Sequence, residues 1–268
     1  SKIYLDGSLI DADASKDSII SSSPELIEAL REAYQVEARK LEGPAGAPHY
    51  KPQNAKLISS TDPDAPCVRN GKIGGSGDSR PRYKQHRAVD DAHGVITAIK
   101  TTPGTIEENS QTEPLIDQHE HNTGKSVETV VGDKQYGTVQ NYRSLQKRNI
   151  KTHLGELHSG NAARYDKIFG PEYFRYDCEL DIYICPAGET LHPRRYQKHR
   201  KVTEYLTRKG TCDDCQLRDQ CTRAKHGRSI ARHHEHELVE QGRKQSRTRE
   251  ARNDIARRKH LIEGSFAD

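Results

Sequence analysis

Hydrophobic and β-branched residues fall into short runs separated by polar, Gly-rich and Pro-rich stretches. Lys2–Leu5 alternates and continues through Leu9 and Ile10, which predicts a strand from the first residues with Asp6 inside it. Pro24–Leu41 carries an apolar stripe of Leu26, Ile27, Leu30, Tyr34 and Leu41. That spacing predicts an amphipathic helix, with Ser23 as its cap and Pro24 in its first turn. Gly43–Asn54 reads as a loop, and Gly71–Ser79, with four Gly, as a flexible one. Arg82–Val89 and Val95–Thr101 alternate on either side of Asp90-Asp91-Ala92-His93-Gly94, a β-hairpin pattern. Ile106–His121 reads as a helix with Leu115 and Ile116 inward and Pro114 in its first turn. Val127–Val131 predicts a short buried strand running into Gly132-Asp133. Gly137-Thr138 then stops the strand and caps a helix over Val139–Arg148. Ile150–Leu154 follows as a strand.

Leaving aside the insert near Pro24, the order is strand, two antiparallel strands, helix, strand, helix, strand. That is the order of a ribonuclease-H-like fold, in which the first and fourth strands lie side by side. Asp6 and Asp133 then face one site, at strand ends where α/β proteins bind ligands. The character changes near Tyr165. Phe174–Ile184 is aromatic and strand-like, Arg194–Lys201 is densely basic, and Cys185, Cys212, Cys215 and Cys221 follow one another in a loop-rich stretch. After Arg228 the pattern reads as helix, with a long one over Arg247–Phe266. The expected fold class is therefore α/β: a mixed sheet flanked by helices, with a small Cys-rich, zinc-ribbon-like insertion before the last helix. The expected domains are residues 1–160 as the core, with a helical insert at about 20–55; residues 165–228 as the Cys-rich insertion; and residues 229–268 completing the core.

Charge changes this picture in one respect. The net charge is +4, but residues 191–268 hold 20 Lys+Arg against 11 Asp+Glu, a net of +9. Residues 1–190 hold 23 against 28, a net of −5. A basic C-terminal third suggests a polyanion partner, although a solvated helix face explains the charge equally well. No apolar run approaches the ~18 residues of a membrane span. Six Cys with a C-x-x-C pair fit metal binding in a reducing compartment better than a disulfide framework. The chain starts at Ser1 and contains no Met, which reads as a fragment of a longer protein.

Two sets of residues carry candidate chemistry. Two-metal phosphoryl transfer needs carboxylates from several elements converging on one ion pair, and Mg²⁺ takes oxygen ligands. Asp6, Asp133 and Glu263 meet that need. On spacing alone the plainer reading stands ahead: the Asp residues as helix caps and Glu263 as a surface acid. Asp62 and Asp64 are rivals, with an Asx-type turn as the favoured role, and Asp90-Asp91 reads as a solvated hairpin tip. Cys185, Cys212, Cys215 and Cys221 suit tetrahedral Zn²⁺, with Cys178 or His192 as alternatives for Cys185. Cys67 reads as a lone thiol. His233, His234 and His236 read as a polar helix face.

The stretches Leu5–Ser15, Thr61–Ala65, Arg80–Asp90, Val130–Thr138 and Leu261–Ala267, together with the Cys-rich segment, resemble the DDE transposases of bacterial insertion sequences, specifically the eleven-eighty-two group. The resemblance covers nearly the whole chain. It implies Asp6, Asp133 and Glu263 as a catalytic triad holding Mg²⁺ or Mn²⁺, for cutting and joining double-stranded DNA at transposon ends and target. It implies Arg257, Arg258 and Lys259 on DNA phosphates, with Lys134 and Tyr136 also facing DNA, and zinc in the Cys-rich insertion. It further implies a homo-oligomer on DNA, with no membrane partner, in the bacterial cytoplasm at the nucleoid. Gly132 stands where the family usually has Ala, which suggests a loosened strand end, and Asp13 where it usually has Asn. The family's regions before the first strand and after the Glu helix are missing from this sequence, so the expectation is a catalytic core. The competing expectation is a catalytically inactive, transposon-derived DNA-binding module.

Overall fold

A computed structural model describes residues 1–21, 23–42, 57–69, 78–155 and 168–266. The chain divides into two compact units: Ser1–Glu156 with Gly242–Asp268, and Leu157–Gln241.

The first unit is built on a mixed six-stranded sheet. Its first strand, β1 (Lys2–Asp11), is followed by a small antiparallel pair, β2 (Ile19–Ser21) and β3 (Leu57–Ser59). Helix α1 (Pro24–Glu42) lies between them in sequence, with the Ser23 hydroxyl accepting from the Leu26 N–H at 3.2 Å. Next come β4 (Cys67–Arg69), the long β5 (Ser79–Asp90) and β6 (Ile96–Pro103). A 3-10 turn over Glu108–Gln111 leads into α2 (Thr112–Thr123), then β7 (Thr129–Gly132), α3 (Val139–Lys147) and β8 (Lys151–Leu154). The strand order is β4-β5-β1-β7-β8, with β6 on β5. β1 is antiparallel to β5 and parallel to β7, and β7 is parallel to β8. This curled mixed sheet with its helices is compatible with a ribonuclease-H-like fold.

Strand alternation assigns the two faces. Tyr4, Val89 and Val131 form one buried cluster with Ile262, from α6 (Arg249–Ile262). Ile3, Leu5 and Val130 alternate with these residues and are equally buried. Helices α2 and α3 bury Leu115, Ile116 and Leu145. The long helix expected over Arg247–Phe266 is present as α6, and a separate α5 (His236–Ser246) ends just before it; the Thr248 hydroxyl caps α6 by accepting from the Ala251 N–H at 3.1 Å. A 3-10 turn, Glu263–Phe266, then closes α6.

The second unit is a five-stranded antiparallel sheet in the order β13-β12-β11-β10-β9. Its strands are β9 (Arg175–Asp177), β10 (Ile182–Ile184), β11 (Thr190–Gln197), β12 (Val202–Leu206) and β13 (Ser229–His233), with a one-turn α4 (Arg218–Cys221) before the last. Ser229–His233 is thus an edge strand rather than helix, and His233 lies on it. The pattern there has one buried apolar residue, Ile230, too little to register as alternation.

Candidate active site

The register of β1 on β7 pairs Ile3 with Val130 and Tyr4 with Val131. Two further steps bring Asp6 level with Asp133. Asp6 shares its strand face with Tyr4, and Asp133 follows Val131 in the same sense, so the two acids continue the row that α6 covers. Helix α6 sends Arg258 to this place: its Nη1 donates to Asp6 Oδ2 at 2.5 Å. Arg258 is 8% exposed. Asp6 Oδ1 accepts the Gly7 N–H at 3.0 Å. Burial pushes the Asp6 carboxyl above its usual range; the Arg258 charge and the Gly7 N–H pull it down, and the Asp133 charge raises it again. Asp133 Oδ1 accepts the Gln135 N–H at 2.7 Å and caps the turn Lys134–Tyr136. The cap expected on spacing alone is therefore present, and it leaves the second Asp133 oxygen without a hydrogen bond among the described residues.

Glu263 opens the 3-10 turn after α6, and its side chain lies outside the described residues. Its neighbours in the chain pack on the strands that carry the two aspartates. Ile262 packs with Tyr4 and Val131, and the Phe266 ring lies 4.3 Å from the guanidinium of Arg87, the β5 partner of Asp6.

The other expected DNA contacts divide. The Tyr136 ring is fully buried, so Tyr136 does not reach DNA. Arg258 is turned inward onto Asp6. Arg257 is half-exposed and pairs with Asp91 at 3.3 Å, while Lys134 and Lys259 are exposed. Asp91 is consequently no solvated tip, since it also accepts from the Tyr4 hydroxyl at 2.6 Å. The rival acids have structural partners: Asp62 accepts from the Tyr83 hydroxyl at 2.7 Å, and Asp64 pairs with Arg31 at 2.8 Å.

One acid was not singled out by the sequence. Glu108, in the turn before α2, is partly buried beside Gly7, its side chain 12% exposed, with Lys84 Nζ at 3.6 Å from its Oε1. Burial pushes its carboxyl up to about 7; Lys84 opposes this, and the charges of Asp133 and Asp6 add to it. Gly132 has a packing role and does not loosen the strand end. A Cβ there would lie 3.0 Å from the Tyr136 ring and 3.1 Å from Leu154.

A carboxylate set with one partnered Asp, one half-satisfied Asp and a further, partly buried acid fits a hard divalent ion in donor chemistry. Among the described residues, three ligand atoms within 4.8 Å of one another occur at His153, Glu250 and Asp254. The Lys2 ammonium already sits there, 2.8 Å from Asp254 and 3.7 Å from Glu250, so that group has its cation. Asp6, Asp133 and Glu108 are not drawn together to that degree, as expected of like charges with no ion between them.

In the second unit, Cys185, Cys212, Cys215 and Cys221 line one pocket. The Cys221 thiol is pushed up by burial, while Arg228 pulls it down and the other three thiols raise it. Cys178 is exposed, and His192 contacts Thr190 Oγ1 at 3.1 Å, so neither alternative displaces Cys185 from the group. The four sulfurs do not form a set within 4.8 Å.

Residues 184–268 match the family model described as Transposase DDE domain. The match supports a DDE-type transposase domain over this stretch, which is less than half of the chain. The matched stretch holds the four pocket cysteines, α6 and Glu263. Asp6 and Asp133 precede it. Comparison with curated proteins and comparison with solved structures gave no match. No described helix is long and apolar enough to cross a membrane.

Proposed function

We propose that the chain is the catalytic part of an insertion-sequence transposase of the eleven-eighty-two group, which cuts and joins DNA at transposon ends with Asp6, Asp133 and Glu263 as its acids. The observation that carries this reading is the parallel pairing of β1 with β7 beneath α6. Continued by two residues, this register sets Asp6, inside β1, beside Asp133, just past β7, and Glu263 follows Ile262, which packs with Tyr4 and Val131. Asp6, Asp133 and Glu263 would hold the divalent ions, and bound ions supply the positive charge that activates a water or a 3′-hydroxyl for in-line attack on a phosphodiester. The chain's own groups prepare the place. The Gly7 and Gln135 N–H groups fix one oxygen of each Asp. Arg258 neutralises Asp6. Arg257, Lys259 and Lys134 offer exposed charge for phosphates. In the second unit, zinc on Cys185, Cys212, Cys215 and Cys221 would tie the strands together.

A second reading has one observation in its favour. Arg258 already occupies one face of Asp6, as it would in an inactive DNA-binding module. The test is nicking and joining of duplex DNA in Mn²⁺. The first reading expects turnover that Asp133→Ala abolishes. Activity that survives the substitution removes the assignment, and salt-sensitive DNA binding without turnover supports the second reading.

A further inference from the structure

Glu108 stands outside the three acids of that reading. It reaches β1 because Gly7 has no side chain: a Cβ there would lie 2.7 Å from Glu108 Cγ and 3.0 Å from Cδ, one residue from Asp6. Its turn is stitched to the Asp133 turn by Asn141, whose Nδ2 donates to Asn109 O and Tyr136 O, both at 3.0 Å. Two buried polar atoms beside this acid have no partner among the described residues, the Tyr136 hydroxyl and His86 Nδ1. Both side chains are fully buried. His86 Nδ1 lies 3.2 Å from the same absent Gly7 Cβ, and the charges of Glu108, Asp6 and Asp133 all bear on the Tyr136 hydroxyl. Unpartnered buried polar groups are costly, and a bound ion or water is one arrangement that satisfies them. An acid buried for structure alone is saturated with donors, whereas Glu108 has one lysine at ion-pair distance.

We propose that Glu108 is a further carboxylate of the divalent-metal site at Asp6 and Asp133, contributed from the turn before α2, with Lys84 as its counter-ion when no metal is bound. The inference rests on the Asp6–Asp133 reading above. The test is calorimetric titration of Mn²⁺ into the full chain, for the unaltered protein and for Glu108→Gln, Gly7→Ala, Glu107→Gln and Asp133→Ala. Glu108→Gln is expected to weaken Mn²⁺ binding about tenfold or more. Gly7→Ala is expected to do the same by displacing the Glu108 side chain, and Glu107→Gln to change nothing. Unchanged affinity in Glu108→Gln, with binding still lost in Asp133→Ala, overturns the role of Glu108 and leaves the aspartate pair standing. Binding that persists in Asp133→Ala removes the underlying site, and the proposal with it.

A different observation carries a second surface. Between Glu189 and Glu204 the chain has no acid and holds Arg194, Arg195, Lys198, Arg200 and Lys201. These lie on β11 and its turn into β12, and all are exposed. Strand β10 pairs only with Thr190 and Leu191, so among the described residues the outer edge of β11 beyond them is unpaired, beside a Tyr196 that is 58% exposed. Arg194, Arg195, Lys198 and Lys201 form no ion pair among the described residues. We infer that this hairpin tip grips the phosphates of duplex DNA. The test is fluorescence anisotropy with a labelled duplex across a salt series, without added divalent metal. Changing Lys198, Arg200 and Lys201 together to Gln is expected to reduce the slope of log K against log salt by about 0.9 for each phosphate that is no longer neutralised. An unchanged slope overturns the inference.

Discussion

The two units bury different material. The α/β unit closes mainly on aliphatic side chains, with Ile3, Leu5, Val130, Val131, Leu115, Ile116, Leu145 and Ile262 all fully buried around Tyr4 and Tyr136. The second unit buries Phe174, Tyr183, Leu191, Tyr205 and Ile230, and sets partly buried Cys185 and Cys221 against them. Its aromatic rings meet at centroid distances of 5.0 Å for Tyr176–Tyr183 and 5.1 Å for Tyr183–Tyr205. A sheet covered by helices has area enough to hold itself together by apolar burial. A unit near or below about 70–80 residues with one small cluster rarely has, and a cross-link is the usual supplement. The site acids lie in the unit that needs no such supplement, which suits carboxylates that must be held in place.

The largest effect should come from the weaker core. If those thiols hold zinc as proposed, replacing Cys212 and Cys215 together with Ser should unfold the second unit, because a structural zinc site of that kind supplies on the order of 10 kcal/mol. The near-ultraviolet tyrosine signal and protease resistance of residues 168–241 would be lost, while the α/β unit keeps its cooperative melt. Retention of that signal in the double variant would show that the aromatic cluster suffices. Next is Ile262→Ala, which removes the α6 side chain buried against Tyr4 and Val131. Urea unfolding should show a loss of about 2–5 kcal/mol, and a smaller loss would mean that α6 holds its place without this side chain. Gly132→Ala tests tight packing in the same unit. Its Cβ must displace the Tyr136 ring or Leu154, at about 1–3 kcal/mol.

The smallest effect is a pH slope. Glu108 in the folded chain stands at about 7 against an ordinary 4.5. The folded state therefore keeps a proton that the unfolded chain releases between those values, so its burial takes stability away as pH rises from about 4.5 to 7. In metal-free buffer Glu108→Gln should remove that slope. The melting-temperature difference, variant minus unaltered protein, should grow across the window and level off above it. A difference that is flat with pH would place Glu108 in solvent.

The core was readable in the sequence because its elements alternate cleanly between apolar runs and turn residues. Asp133 stood out as an acid at the end of such a run and Asp6 as an acid inside one, and continuing the register of β1 on β7 brings them level. Glu108 was hidden for a physical reason. It sits in a polar run, Glu107-Glu108-Asn109-Ser110-Gln111, that reads as an ordinary helix start, and its burial depends on Gly7, a hundred residues earlier. Arg258 reads as one more cation in Arg257-Arg258-Lys259, and the turn of α6 that aims it at Asp6 is a tertiary matter. The break between α5 and α6 did leave a local trace, Thr248 three residues before Ala251. The edge strand β13 left almost none, because a solvent-facing edge needs few apolar positions.

The most direct test of a metal site shared by Asp6 and Asp133 is Mn²⁺ binding by calorimetry, comparing the unaltered chain with Asp133→Ala. Asp133 takes no part in the buried core, so the variant should fold. Saturable Mn²⁺ binding is expected in the first and its loss in the second. Equal binding in the two, strong or weak, would contradict the shared site.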